Sequence, residues 1–173
     1  MHGYAVPSLL IALAGCAPPP LSTAGKAPPE LELEGAGLRF FRGSELRAVG
    51  RSKAATFERE TGDLTAQELN LRLVATASRA DIDVRAALGK GNVRSQEADF
   101  SGAVKLSEAG AAVAITDRAH LVGREQLASG ADPVDVFGTG YHVRANGGFR
   151  MEMTEPGHVE LFGPTTTWVE AKP

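Results

Sequence analysis

The sequence predicts an all-β protein, a sandwich or barrel-like fold of hairpins stacked along one axis, as in β-jelly-rolls and short β-solenoids. Apolar and polar residues alternate over many short segments, which is the pattern of half-buried strands. Turn-forming residues separate these segments, and the 20 glycines among 173 residues exceed the usual share of about 7%. Many short strands at near-regular spacing are typical of sandwiches and barrels.

The chain begins with a short apolar run, from Ala5, that closes in Leu13-Ala14-Gly15-Cys16. This run is too short for a membrane-spanning helix, which needs roughly 20 apolar residues, but it is typical of a secretory signal. The motif resembles the lipobox of bacterial lipoproteins. We therefore expect residues 1–15 to be a signal peptide and Cys16, the only cysteine, to carry a lipid anchor. The alternative is an ordinary N-terminal segment with a chance cysteine.

Residues 16–30 are predicted to be a linker between this anchor and a folded domain. Their composition favours extended polyproline geometry, which reaches at most about 40 Å over such a length. The prolines are Pro18, Pro19, Pro20, Pro28 and Pro29. Residues 31–173 then have the length of one domain with its own core. The domain is expected to lie outside the cytoplasm, held to a membrane through Cys16.

Within residues 31–173, strands and turns are predicted in alternation. The alternating segments are Leu69–Leu73, Ile82–Ala86, Val113–Ile115, Val134–Val136, Tyr141–Val143, Phe149–Met153 and Val159–Leu161. The turn signals are Thr61-Gly62-Asp63, Gly89–Asn92, Glu108–Gly110, Ser129–Pro133, Asn146–Gly148 and Glu155–Gly157. Asn-Gly favours a type I′ hairpin turn because both central residues of that turn have positive φ.

Two segments also fit a helix, Ala66–Ala77 and Arg118–Ala128. In the first, Leu71 falls on the opposite side of a helical wheel from Leu69 and Leu73, so we interpret the segment as a strand. We interpret the second as strand, turn and strand, with Gly123 at the break.

No catalytic, metal or cofactor motif is found in the sequence, so we expect no enzyme activity and no cofactor. The histidines are widely spaced, unlike a metal site; they are His2, His120, His142 and His158. Gly138-Thr139-Gly140 lacks the third glycine of a dinucleotide-binding loop. The formal net charge of -3, with both signs interspersed, argues against nucleic acid as a partner.

A weak internal repeat accompanies the strands. Gly89–Arg94 followed by Gly102–Leu106 is similar to Gly138–Arg144 followed by Gly157–Leu161. Residues 31–164 resemble LptC, the periplasmic component of lipopolysaccharide export, which has the OstA-like (LptA-like) jelly-roll. The resemblance is carried by Leu33-Glu34-Gly35, Leu38–Gly43, Phe100–Leu106, Ile115-Thr116-Asp117, Pro133–Val136 and Gly138–Tyr141.

The resemblance implies a protein that binds lipopolysaccharide and passes it from the inner-membrane ABC transporter to the periplasmic bridge. It implies docking of LptF or LptG at strands 31–41 and of LptA at strands 149–161. The lipid A acyl chains would lie in a slot between two sheets. The predicted slot residues are Leu71, Leu73, Val84, Val104, Leu106, Val113, Ile115, Val134, Val136, Tyr141, Val143, Phe149, Met151 and Met153. The alternative is that most of these side chains simply fill a dry core.

The family resemblance implies anchoring at the inner membrane. Ala17, however, follows the predicted lipidated cysteine where Asp commonly retains lipoproteins at that membrane, so the outer membrane is also open. The alternative function is an outer-membrane lipoprotein that serves as a lipid-binding or protein-interaction scaffold.

Overall fold

A computed structural model describes residues 31–77, 80–108, 112–154 and 157–170. The predicted signal peptide, Cys16 and the linker lie outside the described residues. Those that are described form strands and turns and no helix, so the all-β prediction is confirmed. The strands are β1 (Leu31–Arg42), β2 (Glu45–Glu58), β3 (Asp63–Leu73), β4 (Ile82–Asn92), β5 (Glu97–Glu108), β6 (Ala112–Val122), β7 (Leu127–Gly130), β8 (Val134–Gly138), β9 (Tyr141–Ala145), β10 (Phe149–Glu152), β11 (His158–Leu161) and β12 (Thr165–Val169).

The six long strands β1–β6 each bend once near the middle. Inward-facing residues normally recur every second position, but in β3 they step by three, from Ala66 to Leu69, and in β4 from Ala86 to Gly89. Two consecutive outward residues turn the chain through a corner while keeping both halves facing the core.

The bends align across the sheet in one line, which we call the crease. Positive φ angles cluster there, at Gly35 (61°), Glu68 (50°), Gly102 (78°) and Ala103 (53°). The last two form a bulge, with one more residue in β5 than in β6 opposite. A side chain at Gly102 would meet the Cβ of Ala87 at 2.7 Å, so neighbouring backbones are close at this line.

The crease divides the sheet into two facing layers. Layer 1 contains the halves of β1–β6 that lead to β7, β10 and β11, and layer 2 contains the halves that lead to β8, β9 and β12. We call each bent stretch of chain that contributes one strand to each layer a pass; β1–β6 are each one pass. Beyond β6 the strand pairing of each pass is interrupted at the crease, so each pass consists of two short strands. These pairs are β7 with β8, β9 with β10, and β11 with β12. Nine passes of the chain therefore build an open antiparallel sandwich.

This arrangement corrects two turn predictions. Asn146–Gly148 is not a hairpin turn, because β9 pairs with β8 and β12 whereas β10 pairs with β7 and β11. It is the corner where the chain changes layers. Gly89–Asn92 is also not a turn, since it belongs to β4; the turn follows at residues 93–96. The predicted break at Gly123 is confirmed, because β6 ends at Val122 and β7 begins at Leu127.

The turns at the far ends of the layer 1 strands form a regular row, which we call the turn row. The backbone carbonyl of the last residue in each turn accepts a hydrogen bond from a backbone N–H that follows the next two strands along the chain. Val93 N donates to Gly62 O (3.0 Å), Gly123 N to Gln96 O (2.8 Å) and Met153 N to Gln126 O (2.7 Å). Each of the three accepting residues has a positive φ. The turn row therefore ties together every second turn of the sandwich at one end of layer 1.

The closed part of the core lies where β4–β6 meet the C-terminal strands. Its largest fully buried side chains are Phe149, Val84, Val104 and Val134. Phe149 packs onto Gly130 of β7, where an added Cβ would approach the Phe149 ring at 2.7 Å. This end of the sandwich is therefore filled by its own side chains.

Candidate functional site

The other end of the sandwich holds a cavity of about 670 Å³ between the two layers. This volume lies within the range of small-molecule binding sites, about 300–1,000 Å³. The cavity exists because many inward positions here carry small residues. They are Ala48, Ala55, Ala66, Gly89, Gly91 and Ala98.

Larger apolar side chains from both layers complete the wall. Layer 2 contributes Leu38, Phe40 and Leu71, and layer 1 contributes Leu64 and Phe100. The interior can therefore accept apolar groups, at about 0.8 kcal/mol per buried methylene.

The structure distributes the fourteen predicted slot residues over several environments. Leu71, Leu73 and Met153 line the cavity. Val84, Val104, Leu106, Val134, Val136 and Phe149 are buried in the core between the layers. Val143 and Met151 are half-buried, and Tyr141 is exposed at the start of β9.

Val113 and Ile115 do not face the interior, and that part of the prediction is wrong. Ile115 is 39% exposed and pairs with Lys105 and Asp135 on the outer face of layer 2. Their neighbours in β6 take the inward positions. Thr116 is buried there because its hydroxyl donates to the carbonyl oxygen of Pro133 at 3.0 Å, which satisfies the polar group. Val113 and Ile115 are both hydrophobic and the predicted segment was short, so the prediction assigned them to the inner face of β6 although they lie on its outer face.

Basic residues predominate among the charged residues that line the cavity. Among the described residues, the cations are Arg39, Arg42, Arg47, Lys90 and Arg124, against the single carboxylate of Glu97. None of these residues was predicted to belong to a site. The close spacing of Arg39, Arg42 and Arg47 around the β1–β2 turn is the sequence feature that could have indicated a basic site.

Arg47 is directed into the cavity wall by a β-bulge. The register of β1 and β2 shifts between Phe40 and Phe41, so that β2 has one extra residue, Arg47. Its Nη2 lies 3.0 Å from Glu45 Oε2. Its Nε is buried and has no hydrogen-bond partner among the described residues. The same holds for the buried Oε1 of Gln126, which also lines the cavity.

Arginines also link successive turns of the turn row. Arg94 Nη2 donates to Arg59 O at 2.9 Å, and Arg124 Nη2 donates to Arg94 O at 2.7 Å. These bonds fix the guanidinium of Arg124 at the rim of the cavity. The rim of the cavity therefore carries positive charge from both layers, and hydrogen bonds hold the guanidinium from layer 1 in place.

A separate aromatic stack lies on the outer face of layer 2. The His142 ring is sandwiched between Phe137, with centroids 4.3 Å apart, and Trp168, with centroids 4.4 Å apart. Its Nε2 lies 2.8 Å from Asp135 Oδ1, and Arg144 Nη1 donates to the other carboxylate oxygen at 3.0 Å. The stack ends at the sheet edge because Trp168 belongs to β12.

Among the described residues, the sandwich has two open edges. There, β1 pairs only with β2 at one edge, while β11 and β12 form the other. At the first edge the inward side chains Leu31 and Leu33 are 45% and 39% exposed. β10 was predicted to belong to the C-terminal docking edge, but it is an interior strand between β7 and β11. Residues after Pro164 form the layer 2 half of that edge.

Comparisons with known proteins identify no family: no family model matches the sequence, and no curated protein matches it. The described part of the chain contains no helix long and apolar enough to span a bilayer. Within the same residues, no three His, Cys, Asp or Glu side chains are placed to hold a metal ion.

Proposed function

We propose that this protein binds the acyl chains of lipopolysaccharide between its two layers, as part of the lipopolysaccharide export machinery. It receives the lipid from the inner-membrane ABC transporter and passes it toward the periplasmic bridge. The observation that carries the proposal is the apolar cavity between the layers of an open sandwich. The sequence resemblance to LptC supplies the identity of the lipid and of the machinery.

The energetics of the cavity support binding of acyl chains. Each methylene moved from water into an apolar interior contributes about 0.8 kcal/mol, so a segment of eight methylenes contributes roughly 6 kcal/mol before the costs of binding. The cavity wall already contains the aliphatic and aromatic side chains that such contacts need.

The open edges support transfer between proteins. Unpaired strand edges are templates for addition of further strands. In this proposal LptF or LptG docks along β1, and LptA docks along β11 and β12. Strands added at either end would extend both layers and the space between them.

Photocrosslinking in cells tests the proposal. p-Benzoylphenylalanine replaces Phe40, which is half-buried and lines the cavity, or Phe137, which is 41% exposed on the outer face of the same layer. We expect an adduct with lipopolysaccharide from position 40 and none from position 137. Equal labelling at both positions, or labelling at neither in a folded protein, would contradict the proposal.

The second candidate is a protein-interaction scaffold anchored at the outer membrane. The exposed aromatic stack on β8, β9 and β12 favours it, because exposed aromatic residues are common at protein interfaces. Under this candidate position 137 would crosslink to a protein and position 40 to nothing. The same two variants therefore separate the two functions.

A further inference from the structure

We infer that Arg47 is the head-group contact of the cavity and that the ligand is an amphiphile with an anionic phosphate or carboxylate next to its acyl chain. This inference rests on the proposed function, since it assumes that an acyl chain occupies the cavity. It adds to the proposed function the residue that binds the charged group of the ligand.

Arg47 occupies a position that a bulge creates. A bulge adds one residue to a strand and re-aims a side chain, and here the added residue is the arginine. Regular pairing of β1 with β2 would leave no extra residue at this place. The bulge directs a permanently charged group toward a cavity whose wall is otherwise largely apolar.

The guanidinium of Arg47 is only partly hydrogen-bonded. Glu45 contacts only Nη2, at 3.0 Å. Within residues 31–77, 80–108, 112–154 and 157–170, the buried Nε finds no acceptor. The Arg47 side chain as a whole is 33% exposed, so a ligand oxygen can reach the accessible part of the guanidinium. A shift of the guanidinium that also gives Nε an acceptor would relieve the cost of a buried unpaired donor, about 1–3 kcal/mol. Phosphate and carboxylate oxygens are the acceptors that arginine binds most strongly.

The cavity as a whole carries an excess of positive charge. Within the part of the chain that the structure describes, five cationic side chains and one carboxylate line it. Arg124, held by its bond to Arg94 O, brings a further positive charge to the same cavity from layer 1. An anionic head group matches this balance, whereas a neutral or cationic one does not.

The experiment uses the full chain with Cys16→Ser, which blocks the predicted lipidation. The probes are cis-parinaric acid, a fluorescent fatty acid, and its uncharged methyl ester. We expect Arg47→Met to weaken binding of the acid about 10-fold or more and to change binding of the ester less than about 2-fold. Arg47→Lys should recover part of the affinity for the acid, because the charge returns without the Nε donor.

Arg51→Met is the matched control. Arg51 belongs to the same strand and is exposed, but it does not line the cavity. The same loss of charge there should leave binding of both probes unchanged. Thermal unfolding of each variant shows whether Arg47→Met is folded; if it is not, the comparison of Arg47→Lys with the unaltered residue tests the inference.

Three results would overturn the inference, and they are distinguishable. If the acid and the ester bind equally and Arg47→Met changes neither, the head-group contact is wrong while the acyl-chain site stands. If neither probe binds, the proposed function fails as well. If inorganic phosphate alone raises the unfolding temperature in an Arg47-dependent manner and displaces the acid, the site serves a free anion and not a lipid head group.

Discussion

Gly148→Ala is expected to destabilise the protein severely, because Gly148 is the point where two passes of the chain meet at the crease. Its φ is 97°, a conformation that other residues rarely adopt. A Cβ there would clash with the carbonyl oxygen of Gly130 and would lie 2.8 Å from the Cα of Ala131. All of these atoms belong to backbone, so no side-chain rotation relieves the contact.

The magnitude follows from two contributions. Backbone strain at positive φ is unfavourable by about 1–2 kcal/mol. To relieve the clash β7 must move away from β10, which weakens their hydrogen bonds and the packing of Phe149, 2% exposed at the next position. Together we expect a loss of about 4 kcal/mol, a large part of the 5–15 kcal/mol typical of domains.

Gly140→Ala is the matched control. Gly140 also has a positive φ, 76°, but a Cβ there would meet nothing within 4 Å. Only the strain remains, offset in part by the reduced freedom of the unfolded chain, so we expect a loss of about 1 kcal/mol. Equilibrium unfolding in urea measures both variants. Losses equal within about 1 kcal/mol would refute the reasoning that close backbone approach fixes the crease.

Three further changes have expected outcomes. Arg72 Nε donates to Asp83 Oδ1 at 2.8 Å and lowers the pKa of that carboxyl; the pair therefore stabilises the fold above the unfolded pKa of about 3.9 and loses this effect as pH falls through the lower folded pKa. Asp83→Asn should thus cost under about 1 kcal/mol in urea unfolding at pH 7 and less at pH 2; an equal cost at both pH values would contradict this. Leu106→Ala should cost about 2–5 kcal/mol and Ile115→Ala under about 1 kcal/mol, because only the former is buried; the reverse order would contradict the assigned faces of β5 and β6. Cys16→Ser should abolish incorporation of labelled palmitate and move the protein from the membrane to the soluble fraction; retention of the label would contradict lipidation at this residue.

Strands such as β3 and β4 were predictable because each half of a pass obeys the two-residue alternation of a sheet, whereas β2 and β12 were not among the predicted segments. The crease was not predictable from the same rule. Where Ala66 is followed by Leu69, the inward residues are three positions apart, which is the spacing of a helix face. This is the physical reason why residues 66–77 also fitted a helix. Local periodicity alone does not separate a bent strand from a helical turn.

The candidate site was only partly predictable. Leu71 and Leu73 were identified from their hydrophobicity, and both line the cavity. The cavity itself, however, depends on small residues such as Ala48 and Ala66, which carry little hydrophobic signal of their own. The position of Arg47 depends on a one-residue shift in pairing, which sequence alternation does not record.

The bent passes give the interior a unit of growth. Because every pass crosses the crease, it adds one strand to each layer at once, and the enclosed space lengthens by one strand spacing, about 4.8 Å. Duplication of one hairpin would add two passes and lengthen the interior by two strand spacings, with turns of the same type as those already present. Proteins of this architecture with a longer or shorter interior would therefore differ by whole hairpins. The cross-section of the interior, which is set by where each pass bends, would stay constant.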